Sequence, residues 1–127
     1  MLIIIDETPI SKNKYVNMHW ASRREYKERI SWLIYEQKMF EKSIKPREYV
    51  ELPYNKAKVT TDIFFKTKHR HDVQNYLGGG LIAFFDVLVD LGYIIDDSEE
   101  VIGQPIVNVG YDKDYPRTEI RIEKGGK

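Results

Sequence analysis

The segment that decides the fold reads Lys56-Ala-Lys-Val-Thr-Thr-Asp-Ile-Phe-Phe-Lys66, and its apolar and polar side chains alternate. A period of two residues is typical of a β-strand that buries one face and leaves the other face open. The side chains on the apolar side are those of Ala57, Val59, Thr61, Ile63 and Phe65. The opposite side carries mostly polar side chains, so we predict a half-buried strand over these residues.

Upstream of this strand, the sequence predicts a strand, a loop and a long helix. Leu2–Ile5 is short, apolar and rich in β-branched residues, which favours a strand. Thr8–Tyr15 contains turn-forming residues and is expected to be a loop. Apolar side chains at helical spacing predict a helix over Ser22–Phe40, with Ser22 and Glu25 forming a capping box at its start.

Downstream, the sequence predicts a loop over Thr67–Asn75, a helix over Leu81–Leu91 that ends at Gly92, and two strands. The strands are predicted at Val101–Val109 and Arg117–Glu123, with a turn between them. The resulting order of elements is β-α-β-α-β-β. We therefore expect one α+β domain over residues 1–127, with a mixed β-sheet of about four to five strands and two main helices.

Composition and charge limit the class of protein. The chain contains no cysteine, which excludes disulfides and thiolate metal sites. No apolar run is long enough for a signal peptide or a membrane span, so we expect a cytoplasmic protein with no membrane partner. The formal net charge is zero, but the charges are segregated. Six Lys or Arg lie between Ser11 and Ile30, whereas six acids and no Lys or Arg lie between Asp86 and Glu100.

Two acidic motifs flank the second predicted helix. The first motif is Asp72-Val-Gln-Asn75, and the second is Gly92-Tyr-Ile-Ile-Asp-Asp97. A helix of this length separates its ends by ~15–20 Å at 1.5 Å per residue. The acids of the two motifs can therefore share a site within one subunit only if the chain folds back after the helix.

These motifs, together with Pro9-Ile-Ser-Lys-Asn-Lys-Tyr15, resemble those of the RusA family of Holliday-junction resolvases. That family carries Asp-x-Asp-Asn at the start of a helix, Gly-aromatic-x-x-Asp-Asp after it, and Pro-x-Ser-x-Asn-x-Tyr before its first long helix. The order of elements also agrees over nearly the whole chain. The sequence departs from the family at Gln74, where the family has its second Asp. It also departs at Tyr76–Gly80, which adds about four residues, roughly one helical turn, and lacks the family's Lys.

The resemblance implies a homodimer that nicks four-way DNA junctions in recombination and repair, with magnesium as its metal and manganese as the alternative. It implies that Asp72 and Asp97 are catalytic, metal-binding carboxylates. We expect Gln74 to complete the catalytic metal site with a neutral amide oxygen, because magnesium prefers oxygen ligands and is usually held by one or two carboxylates. The candidates for DNA contacts are Lys12, Asn13, Lys14, Arg23, Lys68 and Arg70.

Several of these positions also have an ordinary structural explanation. Asp72 suits the N-cap of a following helix, and Asp97 suits a turn. His69 and His71 are expected to belong to a solvated basic loop that meets phosphate rather than to a transition-metal site. The run Gly78–Gly80 lacks the Lys-Ser/Thr ending of a P-loop, and we expect it to allow close approach of another backbone or of a second subunit.

Two other functions are consistent with the sequence. The amide of Gln74 in place of an acid, and the missing Lys, favour a junction-binding protein of the same fold with weak catalysis or none. The zero net charge favours a protein-interaction module with no DNA role. Salt-dependent binding to junctions separates the interaction module from the two DNA-binding functions. Magnesium-dependent nicking then separates the nuclease from the binding protein.

Overall fold

The computed structural model describes residues 1–68 and 71–125, and its centre is a four-stranded mixed sheet. The strands are β1 (Leu2–Ile5), β2 (Ala57–Phe65), β3 (Ile106–Tyr111) and β4 (Arg117–Lys124). Their order across the sheet is β1-β4-β2-β3, with β4 antiparallel to both of its neighbours and β3 parallel to β2. The predicted α+β class and the mixed sheet are confirmed, with four strands.

Five α-helices and one 3-10 helix accompany the sheet in the described residues. The helices are α1 (Lys12–Val16), α2 (Trp20–Ile44), α3 (Val73–Leu77), α4 (Leu81–Asp90) and α5 (Glu99–Ile102), and the 3-10 helix is Pro46–Tyr49. The two longest, α2 and α4, are the two main helices that the sequence predicts, and they pack against each other. Within the described ranges, none of the helices has both the length and the apolar character that a bilayer crossing requires.

The core lies between the long helices and one face of the sheet. The strand register places Ile3 opposite Ile120 and Val59 opposite Ile122, and all four side chains are buried. The helical side of the core includes Ile30, Ile34, Phe84 and Leu88, which are fully buried. The predicted alternation of β2 is confirmed, because every second residue of that strand is buried. This core fixes the positions of the elements that carry the candidate site.

The start of α2 differs from the prediction. The helix begins at Trp20, and its N-cap is His19, whose Nδ1 accepts a hydrogen bond from the Ala21 N–H at 3.2 Å. The predicted capping box at Ser22 is therefore wrong, because Ser22 already lies within the first turn. Histidine is not among the residues preferred at N-caps, so the sequence pattern points to the later serine instead.

Two short helices occupy segments that the sequence predicts as loops. The first, α1, overlaps the predicted loop Thr8–Tyr15 and ends one residue beyond it, and the Ser11 side chain caps it. The second, α3, begins after Asp72 in the predicted loop Thr67–Asn75 and ends two residues beyond it. Each helix has five residues, which is too short for an apolar period of 3.6 to show in the sequence.

The predicted strand Val101–Val109 is correct only in its second half. Its first residues belong to α5, which follows Ser98 and carries Glu99 and Glu100 in its first turn, where acidic side chains stabilise a helix. Gly103 ends the helix with a φ of +63°, a conformation that glycine adopts easily. The strand β3 then begins at residue 106.

Candidate functional site

Asp72 lies at the N-terminus of α3, where it acts as the N-cap. Its backbone is extended, and its Oδ1 accepts a hydrogen bond from the Gln74 N–H at 3.0 Å. A side-chain oxygen at this position satisfies an N–H group that has no partner within the helix, which is why Asp is favoured there. The residue is exposed, so a carboxylate that caps through one oxygen stays accessible to a cation.

Gln74 lies in the first turn of the same helix and is exposed. Asp72 binds its backbone N–H, and its side-chain amide makes no hydrogen bond within residues 1–68 and 71–125. The amide oxygen can therefore turn toward a cation held by Asp72, although it brings no negative charge. The structure thus places two of the three predicted metal ligands on one helical turn.

The residue before the α3 cap is packed into the structure. The His71 ring stacks on the Phe65 ring, with 3.7 Å between the centroids and 8° between the planes. Its Nδ1 lies 2.9 Å from the hydroxyl of Tyr76, a buried residue. His71 is therefore half-buried and anchors the start of α3, whereas residues 66–68 of the expected solvated loop are exposed; a contact of His71 with phosphate stays a prediction. His69 and Arg70 lie outside the described residues, and their predicted phosphate contacts stay predictions.

The chain folds back after α4. Gly92 has a φ of +77° and follows the helix end, as predicted. A parallel β-bridge between Tyr54 and Ile94 then directs the chain back along the helix. This path brings the Asp97 carboxyl beside that of Asp86 on α4, close enough for a hydrogen bond between them when one of the two is protonated.

Asp86 is a site residue that the sequence motifs do not identify. Burial is the main cause that raises the pKa of its carboxyl; Lys27 opposes the rise and Asp97 adds to it. Lys27 itself lies 3.0 Å from Asp90, and this hydrogen bond raises the pKa of the Lys27 ammonium. A half-buried acid in an otherwise apolar stretch of helix destabilises the fold unless it is paired with another group or binds a cation. That interruption of an apolar helix is the sequence signal that could identify Asp86.

The structure does not bring all the predicted ligands into contact. Among residues 1–68 and 71–125, no group of three or more His, Asp or Glu side chains is placed to hold a metal ion. Asp72 shares a helical turn with Gln74, whereas Asp97 pairs with Asp86. The donors are carboxylate and amide oxygens, which have the chemistry that magnesium prefers. These oxygen donors therefore fit a magnesium ion. That the Asp72–Gln74 pair and the Asp97–Asp86 pair bind the same ion is a proposal.

A glycine run joins the N-terminal segment to the helix that Asp72 caps. A Cβ on Gly79 would lie 2.6 Å from the Lys12 backbone nitrogen, and a Cβ on Gly80 would lie 2.6 Å from that of Ile10. The Gly80 N–H also donates to the Ile10 carbonyl at 2.8 Å. The expected close approach is confirmed, and the second backbone belongs to the same chain. Only residues without a Cβ allow this contact, which holds α1 against α3.

Three of the candidate DNA contacts follow one another on α1. Lys12, Asn13 and Lys14 are exposed, and the stem of Lys12 lies over Gly78 at the end of α3. A fourth candidate, Lys68, is also exposed. The three side chains of α1 are accessible to phosphate groups next to α3, whereas the Lys68 ammonium lies over the Tyr111 ring on β3, 5.0 Å from its centroid.

Arg23 has a structural partner in addition to its predicted role. Its Nε donates to the Tyr15 carbonyl at 3.0 Å, and its Nη2 donates to the Val16 carbonyl at 2.8 Å. These carbonyls lie at the C-terminal end of α1, where the Tyr15 carbonyl also accepts from the Met18 N–H at 3.2 Å. Arg23 therefore holds α1 to α2, and its contribution to DNA binding stays a prediction.

A comparison of the chain with protein-family models gives no match, and a comparison with curated proteins also gives none. The resemblance to RusA-type resolvases therefore depends on the three sequence motifs. The structure adds the positions of their residues: two acidic positions at opposite ends of the α3–α4 segment, and a basic helix packed against α3.

Proposed function

We propose that the chain is a homodimeric, magnesium-dependent endonuclease that acts on branched DNA, with the four-way junction as its substrate. The observation that carries the proposal is the pair of carboxyl groups formed by Asp97 and Asp86. One of them is the residue that the family resemblance assigns to the metal. Two carboxylates this close repel each other when both are ionised, and a divalent cation between them relieves that repulsion.

The oxygen donors of α3 complete the proposed metal site. Asp72 supplies a carboxylate that its capping hydrogen bond holds in one orientation, and Gln74 supplies an amide oxygen. When bound, magnesium supplies an activated water and neutralises charge on the scissile phosphate. The oxygen atoms of Asp72, Gln74, Asp86 and Asp97 would hold the ion, and a phosphate of the DNA would supply a further oxygen ligand.

The basic helix α1 supports the choice of DNA as substrate. Its exposed Lys12 and Lys14 lie next to α3, because the glycine contact holds the two helices together. Lysine contacts to phosphate set affinity and position on the DNA without reading its sequence. A local group of cations can bind DNA although the net charge of the chain is zero, because acidic residues are concentrated elsewhere.

The deciding experiment is a nicking assay on a synthetic four-way junction. Asp97→Asn should lower the magnesium-dependent rate by about 100-fold or more, because it removes a ligand charge from the metal site. Junction binding should stay within about threefold, because the basic surface is unchanged. Asp96→Asn is the matched control, since this exposed neighbour carries the same charge. An Asp97→Asn variant that cuts at the wild-type rate would remove Asp97 from the metal site.

A second candidate is a junction-binding protein with the same fold and no catalysis. The observation in its favour is Gln74, which places an uncharged, exposed side chain where the family has an acid. The same assay separates the two functions. Wild-type protein that binds junctions tightly, yet leaves them intact with magnesium and with manganese, would support the binding protein and exclude the nuclease.

A further inference from the structure

The two edges of the sheet differ in how their backbone groups are satisfied. At the β1 edge, the Gln37 side chain occupies both hydrogen-bonding groups of Ile4. Its Oε1 accepts from the Ile4 N–H at 2.7 Å, and its Nε2 donates to the Ile4 carbonyl at 2.5 Å. Because β1 has only four residues, this contact closes the middle of the strand to a further chain.

The β3 edge has no such cover in the described residues. Asp112 donates its N–H to the Phe65 carbonyl on β2, and these groups alternate in direction along a strand. The N–H and C=O groups of Val107, Val109 and Tyr111 therefore point away from β2. Within residues 1–68 and 71–125, they have no hydrogen-bond partner.

The side chains of β3 also suit the addition of a strand. Residues 106–111 include no charged residue and no proline, which are the usual means of protecting an edge. Ile106, Val109 and Tyr111 are 42%, 36% and 41% exposed. A strand with no charged residue of its own, free backbone groups and exposed apolar side chains has the chemistry that pairs with another β-strand. At one end of this strand, the Lys68 ammonium lies over the Tyr111 ring, 5.0 Å from its centroid.

We propose that a second copy of this chain adds to the sheet at β3, with the two β3 strands antiparallel about a two-fold axis at Val109. In this register Val109 faces its own copy, and Val107 faces Tyr111 of the partner subunit. Each outward N–H then meets an outward C=O, as in an ordinary antiparallel ladder. No charged side chain of β3 meets a like charge, because the strand has none.

A second copy fits this edge better than an open series of copies. The β1 edge is closed by Gln37, so the sheet can grow only at β3 and stops when two chains have paired. An isologous contact of this kind gives a closed dimer with two-fold symmetry. This interface rests on the proposed function only in the expectation of a dimer; the difference between the two sheet edges supports it independently.

The first test measures self-association without DNA or metal, by sedimentation from about 1 µM to about 1 mM, because a contact of two short strands is small and weak. Val109→Pro should weaken dimerisation by at least about 10-fold, since it removes the central outward N–H. It removes no bond to β2, where proline is tolerated for that reason. Val109→Thr is the control, because it keeps the N–H and the β-branched shape, and its dimer should match the wild type within about threefold.

A second measurement covers the case in which Val109→Pro fails to fold. Amide hydrogen exchange of the wild-type protein should show protection of Val107, Val109 and Tyr111 that increases with protein concentration. Two outcomes would overturn the proposal: wild-type protein that stays monomeric at about 1 mM, and a dimer in which these three amides exchange freely. Neither measurement involves nicking, so a dimer that pairs through β3 but does not cut DNA would remove the nuclease and leave this interface in place.

Discussion

Replacement of Thr61 by valine should stabilise the protein, which reverses the usual effect of a core mutation. Thr61 lies on β2 with its side chain fully buried, and its Oγ1 has no hydrogen-bond partner in the described residues. A buried hydroxyl without a partner costs about 1–3 kcal/mol. Valine has nearly the same shape and the same β-branched stiffness, so Thr61→Val removes this cost and creates no cavity.

The expected gain is about 1–2 kcal/mol in the free energy of unfolding, or roughly 4–7 °C in Tm for a chain of this length. Urea unfolding and thermal melts followed by circular dichroism measure it. Thr118→Val is the matched control on the neighbouring strand. Thr118 is equally buried, but its Oγ1 donates to the Glu7 carbonyl at 2.6 Å. The control should therefore lose about 1–2 kcal/mol. A loss of stability in Thr61→Val would mean that its hydroxyl is satisfied and that the reasoning about this core is wrong.

Four further substitutions test the site and its supports. Burial raises the folded-state pKa of Asp86 above its ordinary value of 3.8. The free energy of unfolding of the wild type therefore falls as the pH rises from the ordinary pKa through the raised folded-state pKa. Asp86→Asn should therefore be more stable than the wild type at pH 7 in the presence of a metal chelator. Urea unfolding at a series of pH values should show that this difference in the free energy of unfolding becomes smaller toward pH 4. Gly79→Ala should cost about 1–3 kcal/mol, because its Cβ would meet the backbone. Gly78→Ala should cost less in the same melts, because its Cβ would meet a flexible lysine stem. Gln74→Asp should lower the Tm of the metal-free protein, because the new carboxylate is repelled by Asp72. On addition of magnesium, the Tm of this variant should rise more than that of the wild type. An equal rise in the two proteins would place Gln74 outside the metal shell.

The sheet could be predicted from the sequence because its strands carry their own signal. The alternation over residues 56–66 locates β2 to within one residue at each end. In a half-buried strand, every second side chain points to the core and is apolar, so the pattern is visible in the sequence. The long helices were predictable for the same reason, with an error of a few residues at the ends of α2. The capping residue His19 and the five-residue helices have no comparable periodicity, and their formation depends on neighbouring segments.

The candidate site could be predicted only in part. Asp72 and Asp97 stand out because they flank a helix in two recognisable motifs. Their surroundings depend on contacts between distant parts of the chain: the bridge from Tyr54 to Ile94, which returns Asp97 to the side of α4, is one of them. No local pattern encodes such a contact. The sequence therefore shows Asp86 only as an acid within an apolar run, and its pairing with Asp97 is seen only in the folded structure.

The arrangement of the acids also bears on how the proposed site would work. The α4 helix has ten residues and is about 15 Å long. Asp86 lies four residues before its end, so the return of Asp97 to Asp86 recovers only about 6 Å of that length. In the described residues the α3 and α4 acids form two groups rather than one closed cage. A magnesium ion keeps several waters and is completed by substrate phosphate. We therefore expect the two groups to act together only when a DNA phosphate lies between them, so that substrate and metal are bound cooperatively.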